Sequence, residues 1–349
     1  MKPPSEAAFT TTAVLIGALT LLALGAAFAT PYLQRVVTEA LIYVVMVVGL
    51  QVFVGNSGIV SFGHVSFMVI GAYVSALFTL PIEKKLELLS LPNSVLQLHA
   101  PTPLAAAVAA AATGLFALLA GLPIVRLRGV APSMALFALL VISHVGAQNW
   151  KAVTGGRQAM VGLPLATTPW TALGCAAVAI IAAAVYQASR RGALLRCARE
   201  SEVAAESIGI NIAAERLFAL VLSAMLCALG GVLFAHFLGT LGPNTFYLDT
   251  TFLTLAMLVV GGMRSVSGAV TGVLVLSAAS ETFRYLEQGI TVFGRDLEAP
   301  NGLQEVALAL IMLTILILRP AGICGATEVG TLLSRLHKGR RDTAAQTRS

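Results

Sequence analysis

The sequence predicts an all-α polytopic membrane protein of about ten transmembrane helices in two five-span halves. Three observations carry that prediction. Apolar residues make up 57% of the 349 and charged residues only 11%, against about 45–50% and about 25% in soluble domains. A soluble core of this size could not be clothed with so few charges. The apolar residues also gather into runs of the length a bilayer demands, roughly 17–25 residues per helix. Finally, the basic residues sort by side. With the N-terminus inside, ten spans leave 15 Lys and Arg residues in the cytoplasm and 7 outside, as the positive-inside bias requires.

The spans can be justified in order. The first, 11–29, follows Lys2 with no clear small-residue cleavage site, so it reads as a retained helix and not as a removed leader. Others follow at 36–54, 58–80, 103–125, 130–149, 170–187, 216–238, 248–262, 264–283 and 302–318. Span 58–80 opens on Gly, Ser and His, and 248–262 is short. Both suit broken or partly re-entrant helices, which survive where protein or a water-filled cavity covers the backbone. Residues 1–10 form a short cytoplasmic N-terminus, and 11–320 the membrane domain with a cytoplasmic loop at 188–215. Residues 321–349 form a basic cytoplasmic tail, expected to be disordered from about Leu336.

The formal charge of +6 comes from arginines that flank apolar spans, which suits lipid headgroups better than nucleic acid. Cys175, Cys197, Cys227 and Cys324 show no paired spacing and call for neither a disulfide nor a metal.

The stretch from Arg190 to Arg216 holds five arginines and four glutamates between apolar segments. So many charges in one short segment place it in water. Arg199, Glu200, Glu202 and Glu206 stand at helical spacing, with acids and bases set for i,i+3 and i,i+4 pairing. Ala204, Ala205, Ile208 and Ile210 offer a small apolar surface, and Gly209 stops the helix. Two readings remain open on these residues alone: a docking element for a partner, or a headgroup-level helix that only satisfies the charge bias.

A second constellation runs from Gly58 to Phe67. Ser61, His64 and Ser66 are polar at the start of an apolar span, while Gly63 and Gly71 let neighbouring helices approach. Polar groups at membrane depth suggest a solute path, while for His64 a hydrogen bond across a helix interface is the favoured reading, since a residue near the cytoplasmic end need not be deeply buried. On the outer side, Trp150 and Trp170 suit interfacial anchoring around Thr154-Gly155-Gly156. Glu281 is set to pair with Arg284 one turn on. The chain carries no Walker-type loop, no HExxH and no GxSxG turn. Movement driven by nucleotide would therefore need hydrolysis on another polypeptide.

At Gly55-Asn56-Ser57-Gly58-Ile59-Val60-Ser61-Phe62-Gly63-His64, Gly71-Ala72-Tyr73, Arg126-Leu127-Arg128-Gly129 and Thr154-Gly155-Gly156 the chain resembles permeases of bacterial ATP-driven branched-chain amino acid importers. That family includes urea and amide permeases. The likeness continues through Ser189-Arg190-Arg191-Gly192, Arg196-Cys197-Ala198-Arg199-Glu200, Ala204 to Asn211, Val259 to Gly268 and Pro320-Ala321-Gly322-Ile323, covering roughly 40–325. Of the two non-identical permease types, this chain is similar to the longer one, which bears Arg-x-Arg-Gly.

The resemblance implies a ten-span fold near the sugar permeases of the same superfamily. It also implies a heterodimer with the second permease, two cytoplasmic ATPases and a periplasmic solute-binding protein, in the bacterial inner membrane with both termini cytoplasmic. No cofactor is expected on this chain, since ATP would be hydrolysed by the partner subunits. Arg199, Glu200, Glu202, Ala204, Ala205, Gly209 and Ile210 become the expected ATPase-coupling residues. Ser61, Gly63, His64, Ser66 and Gly71 become candidates for the substrate path. Urea, amides and aromatic acids remain alternative solutes, and an ATP-independent channel is the rival of a different class. Val130-Ala131-Pro132-Ser133-Met134 departs from the family's usual acidic-aromatic continuation, and Pro132 predicts a differently broken start to the fifth span.

Overall fold

A computed structural model describes residues 4–88, 98–287, 290–292, 295–297, 302–325 and 328. The tail expected to be disordered from about Leu336 lies outside these residues. The chain runs α1 (Pro4–Ala27), α2 (Pro31–Ser57), α3 (His64–Thr79), α4 (Ile82–Leu88), α5 (Thr102–Ile124), α6 (Ala131–Asn149), α7 (Lys151–Thr154) and α8 (Pro169–Ala188). It continues through α9 (Arg190–Glu200), α10 (Glu202–Ser207), α11 (Ile212–Leu238), α12 (Leu248–Gly261), α13 (Val266–Glu287) and α14 (Leu303–Leu318). Two antiparallel pairs are added, β1 (Met160–Val161) with β2 (Thr240–Leu241) and β3 (Ile290–Val292) with β4 (Arg295–Leu297).

Among the described residues seven helices are long and apolar enough to cross a membrane: those around α1, α2, α5, α6, α8, α11 and α13. Helices α3, α12 and α14 are shorter, at 16, 14 and 16 residues. They reach roughly 21–24 Å of a bilayer core about 30 Å thick. Two of the three are preceded by non-helical backbone. The helix of the expected 58–80 span starts only at His64, after an irregular stretch in which Ser61 is 1% exposed. A 3₁₀ turn at Pro243–Phe246, with Phe246 buried, leads into α12. Ser61, Gly63, Pro243 and Phe246 are buried in these stretches, while Gly58, Val60 and Asn244 are exposed.

The expected break at Pro132 does not occur. Helix α6 begins at Ala131, so Pro132 sits in the first turn, where its missing N–H has no intrahelical partner to lose.

Helix α2 is the centre of the bundle. Thr30 caps it, accepting from Leu33 N–H at 3.5 Å, with Pro31 beside the cap. From Ala40 to Ser57 every residue except Tyr43 is buried, which explains why this run is apolar on all sides. Helix α11 lies against α2, α3 and α5, while α8 and α13 flank α2. The two sequence halves therefore interlock.

Small residues set these approaches. A Cβ on Gly71 of α3 would lie 2.6 Å from the Ala228 carbonyl oxygen of α11. One on Gly230 would lie 2.6 Å from Met46 Cγ of α2, and Ser223 Oγ donates to Gly49 O at 2.6 Å. Such contacts let helices associate in lipid without a hydrophobic drive between them.

The α12–α13 turn is held by the C-terminal segment. Ile323 N–H donates to Val260 O at 2.9 Å and Cys324 N–H to Gly261 O at 3.0 Å. The Glu328 carboxylate takes the backbone N–H of Val266 and Ser267 (2.9 and 3.2 Å) and the Ser267 hydroxyl (2.7 Å). That places a negative charge at the positive end of α13.

Candidate functional site: an anchored elbow at one end of the bundle

The charged segment folds as two short helices between α8 and α11. Ser189 caps α9, accepting from Gly192 N–H at 3.2 Å. Gly192 packs directly on the Tyr186 carbonyl, which lets the chain double back at the end of α8. The helical periodicity read over Arg199–Ile210 is interrupted at Ser201, whose backbone is extended and whose hydroxyl caps α10 through Ala204 N–H at 3.3 Å. A Ser with this capping geometry starts a new helix sooner than it continues an old one. Gly209, at φ 82°, ends α10, with Ile210 N–H returning to Ala205 O at 3.0 Å.

Arginines anchor the first arm to α2. Arg199 Nη1 donates to Gly55 O at 2.5 Å, and its aliphatic stem lies on Gly58. Gly58 adopts φ 75°, and a side chain there would strike Arg199 Cγ. Arg196 Nη1 donates to Asn56 Oδ1 at 3.0 Å and to Gln187 O at 2.9 Å. The second arm is tied to α11, where Glu202 accepts a hydrogen bond from the buried Arg216 guanidinium. Glu206 pairs with Arg128 at 2.7 Å. Both groups of that pair are exposed, so it contributes at most about 1 kcal/mol.

These contacts correct the expected pairing. The carboxylates of Glu202 and Glu206 do not pair along their own helix but reach to α11 and to the Arg126–Gly129 segment. Glu200 pairs with its neighbour Arg199 at 2.9 Å, and that hydrogen bond holds its carboxyl below the usual range. The expected apolar surface is also divided. Ala205 is 2% exposed and packs with Ala198, Ile212 and Ile210 in a small core of its own. Ala204 and Ile208 face outward, joined by Val203, which is 77% exposed.

Gly55 also touches the Met263 carbonyl of the α12–α13 turn. Five segments far apart in sequence thus meet at one end of the bundle: 55–64, 126–129, 196–211, 260–268 and 320–325. Arg199→Ala is expected to cost about 1.5–3 kcal/mol, the worth of a hydrogen bond to a charged donor. The check is a lower unfolding midpoint of the purified permease in detergent; a midpoint equal to wild type would remove the anchor role.

The path candidates sit in the packed interior. Ser61 Oγ lies 2.5 Å from His64 Nδ1, and the imidazole is held between Phe53 and Phe67 at 5.4 and 5.5 Å. Gly63 approaches the Leu136 carbonyl of α6, and Gly71 approaches α11. Among the described residues, His64 Nε2 and Ser66 Oγ are buried without a hydrogen-bond partner. Thr154 Oγ1 donates within 2.8 Å of Ala147 O and Trp150 O, and Gly155 and Gly156 both take positive φ, so that segment forms a tight turn. Trp150 and Trp170 are exposed. Glu281 pairs with Arg284 at 2.7 Å as the spacing predicts.

Sequence reasoning did not single out Glu39. It stands with Arg35 four residues before it inside an otherwise apolar helix, a signal visible in the sequence itself.

Long apolar helices interlocked through small residues, with a polar elbow clamped to the two central helices, define a multi-pass membrane protein. The family described as branched-chain amino acid transport system, permease component, matches residues 32–318, and this chain belongs to it. The chain is similar to the high-affinity branched-chain amino acid transport system permease protein LivM of Salmonella typhimurium, 25% identical over 329 residues. That alignment covers 84% of this chain and 70% of the relative; LivM of Escherichia coli K12 matches to the same extent. It is also similar to the permease protein LivH of Salmonella typhimurium, 28% identical over 319 residues, covering 84% of this chain and 94% of the relative. No solved structure matches the chain.

Proposed function

We propose that this chain is a permease subunit of an ATP-driven importer for branched-chain or related amino acids in a bacterial inner membrane. It pairs there with a second, non-identical permease, and of the two types it is the longer, Arg-x-Arg-Gly-bearing one. Two cytoplasmic ATPases supply the energy, and a periplasmic binding protein delivers the solute. The complete fold is a ten-span arrangement with both termini in the cytoplasm. The observation that carries this reading is the elbow: an exposed apolar tip of Val203, Ala204 and Ile208 on two helices whose inner sides are fastened to α2 and α11.

The mechanism follows from those fastenings. An ATPase docked on the tip displaces α10 when it closes on nucleotide. Arg196 and Arg199 pass that displacement to the end of α2, and Glu202 passes it to α11 through Arg216. Because α2 and α11 pack against each other through Gly49, Gly230 and Cys227, a shift between them opens or closes the bundle as a unit. When it opens, His64 Nε2 and Ser66 Oγ are among the interior polar groups with unused hydrogen-bonding capacity that a passing solute would meet. No covalent step is required of this chain.

Ile208→Asp tests the reading directly. Placing a charge at the centre of an apolar contact is expected to abolish leucine-stimulated ATP hydrolysis and leucine uptake in proteoliposomes containing the whole importer. The isolated permease should keep its unfolding midpoint, since Ile208 is 73% exposed. Undiminished coupling would sink the docking role of the tip. Solute flux indifferent to ATP would replace the importer with a channel.

A further inference from the structure

Two motifs of the sequence, Val259 to Gly268 and Pro320 to Ile323, lie outside the elbow, and the fold brings them together. Segment 320–325 crosses the α12–α13 turn as a strap. Ile323 and Cys324 N–H take Val260 O and Gly261 O, carbonyls that the end of α12 leaves without a helical partner. Ser265 Oγ donates to Gly325 O at 3.2 Å and accepts from Gly268 N–H at 3.0 Å. Glu328 takes the first N–H groups of α13, and the Cys324 thiol donates to Thr271 Oγ1 at 3.5 Å. Gly322, at φ 82°, lies directly on Gly262: a Cβ there would be 2.6 Å from Gly262 N. Ser265 and Ser267 are fully buried beneath these contacts.

Water at a membrane surface satisfies exposed helix ends without any strap. What the strap adds is rigidity. A turn built on Gly261 and Gly262 would otherwise be a hinge, and the bonds across it join α12, the turn and α13 into one body. That body touches the elbow's anchorage. Met263 O lies against Gly55, whose own carbonyl Arg199 holds at 2.5 Å. Glu200 of the elbow is bonded by Arg199 first, and it also feels the charge of Arg264 in the turn. From there α13 runs 22 residues, about 33 Å, past Glu281, which accepts from Tyr32 at the start of α2. Gly55 and Tyr32 stand at opposite ends of α2, so α13 spans the bundle from the elbow to its far end. We propose that segment 320–325 and Glu328 are a third fastening of the elbow, which makes α12 and α13 move with it and carries its displacement to the far end. Glu328 is the positioning residue: it acts through α13 and touches no solute. The proposal rests on the ATP-driven reading above and adds to it a route that does not pass through α11.

The test uses the whole importer, with hydrogen–deuterium exchange measured in nanodiscs with and without a non-hydrolysable ATP analogue. In wild type the nucleotide should change exchange both in 196–211 and in 260–272. Glu328→Ala should keep the first change and lose the second. In proteoliposomes the same variant should still hydrolyse ATP when given leucine-loaded binding protein. It should take up about tenfold less leucine per ATP, the scale of one charge-assisted hydrogen bond. Glu328→Gln, which keeps a carbonyl oxygen as acceptor, should lose less. Rescue separates coupling from folding. With Cys197, exposed on α9, replaced by Ser, Thr271→Cys is set to form a disulfide with Cys324 that holds the strap on α13 without the carboxylate. Oxidised Glu328→Ala/Thr271→Cys should regain uptake per ATP and lose it again on reduction. Uptake and hydrolysis that fall in equal proportion would make Glu328 a stabilising residue and overturn the proposal. So would an unchanged α13 response in Glu328→Ala, a disulfide that does not form or does not rescue, or a cross-link that stops uptake when Glu328 is present. A wild-type elbow indifferent to nucleotide would sink the ATP-driven reading and the proposal with it. An α13 response that depends on Glu328, in an importer that takes up no leucine, would count against the amino-acid reading and leave the strap standing.

Discussion

Gly261→Val is expected to prevent recovery of a folded permease. A Cβ at Gly261 would overlap the Gly268 carbonyl of α13 and lie 2.7 Å from Gly272 N. Gly268 and Gly272 form a small-xxx-small face, and Gly272 in turn lies under the Met257 carbonyl. Overpacking a core usually costs about 1–3 kcal/mol when side chains can yield. Here the obstructing atoms are backbone on both sides, so the helices must separate. Separation also withdraws Gly261 O and Val260 O from the C-terminal segment that bonds them. The measurement is size-exclusion chromatography of the detergent extract, where Gly261→Val should run as aggregate or be absent. Gly174 of α8 is the control, because nothing lies within 4 Å of a Cβ there. Gly174→Ala should be neutral or gain up to about 1 kcal/mol from helix propensity. A monodisperse Gly261→Val protein with a wild-type midpoint would remove the close α12–α13 approach from the account.

Glu202→Arg is expected to have the second largest effect, and for a reason the sequence did not supply. Arg216 has a side chain only 6% exposed, and its guanidinium is bonded by Glu202. Removing the partner of a buried charge costs about 3–5 kcal/mol. Glu202 is itself a third exposed, so the lower part of that range applies, and the reversed charge adds repulsion. Leucine uptake and the unfolding midpoint should fall together. The double exchange Glu202→Arg with Arg216→Glu should restore much of both, because the pair is then remade in the opposite sense. A double exchange that folds normally yet remains uncoupled would assign Glu202 to the ATPase contact instead. Loss of coupling at Glu202 alone therefore reports the tie to α11 before it reports docking.

The class of the protein was legible because transfer into a bilayer is a sum over local composition. Most predicted spans overlap a helix within a few residues, and the shortness of α12 was foreseen, but the span placed at 58–80 becomes helical only at His64. Gly209 was readable as a stop because a positive φ excludes most side chains. Pro132 misled, since a proline breaks a helix from within but starts one from its first turn, and only the helix boundary distinguishes the cases. The 199–208 segment has helical periodicity throughout, so periodicity could not reveal the break at Ser201.

Side-chain partners were the larger gap. Spacing along the elbow suggested pairs at i+3 and i+4, whose worth is only a few tenths of a kcal/mol. Contacts to Gly55, Asn56 and Arg216 are made to groups already partly desolvated, so they prevail. Ala205 and Ile210 looked like surface for a partner and instead form the elbow's own core, while Val203 faces out. Glu39 went unnoticed because a single acid barely lowers the hydropathy of a span.

By itself, then, the sequence determined that this chain is a multi-pass membrane protein and roughly where its long apolar helices run. Those properties are set by free energies of transfer and backbone preference, which each short stretch carries within it. The tertiary structure decided which charges are spent on holding the elbow to α2 and α11, and that Arg35 lies on the Phe237 ring and not on Glu39 at i+4. That choice depends on distances and desolvation between helices far apart in the chain, and it exists only once they are packed.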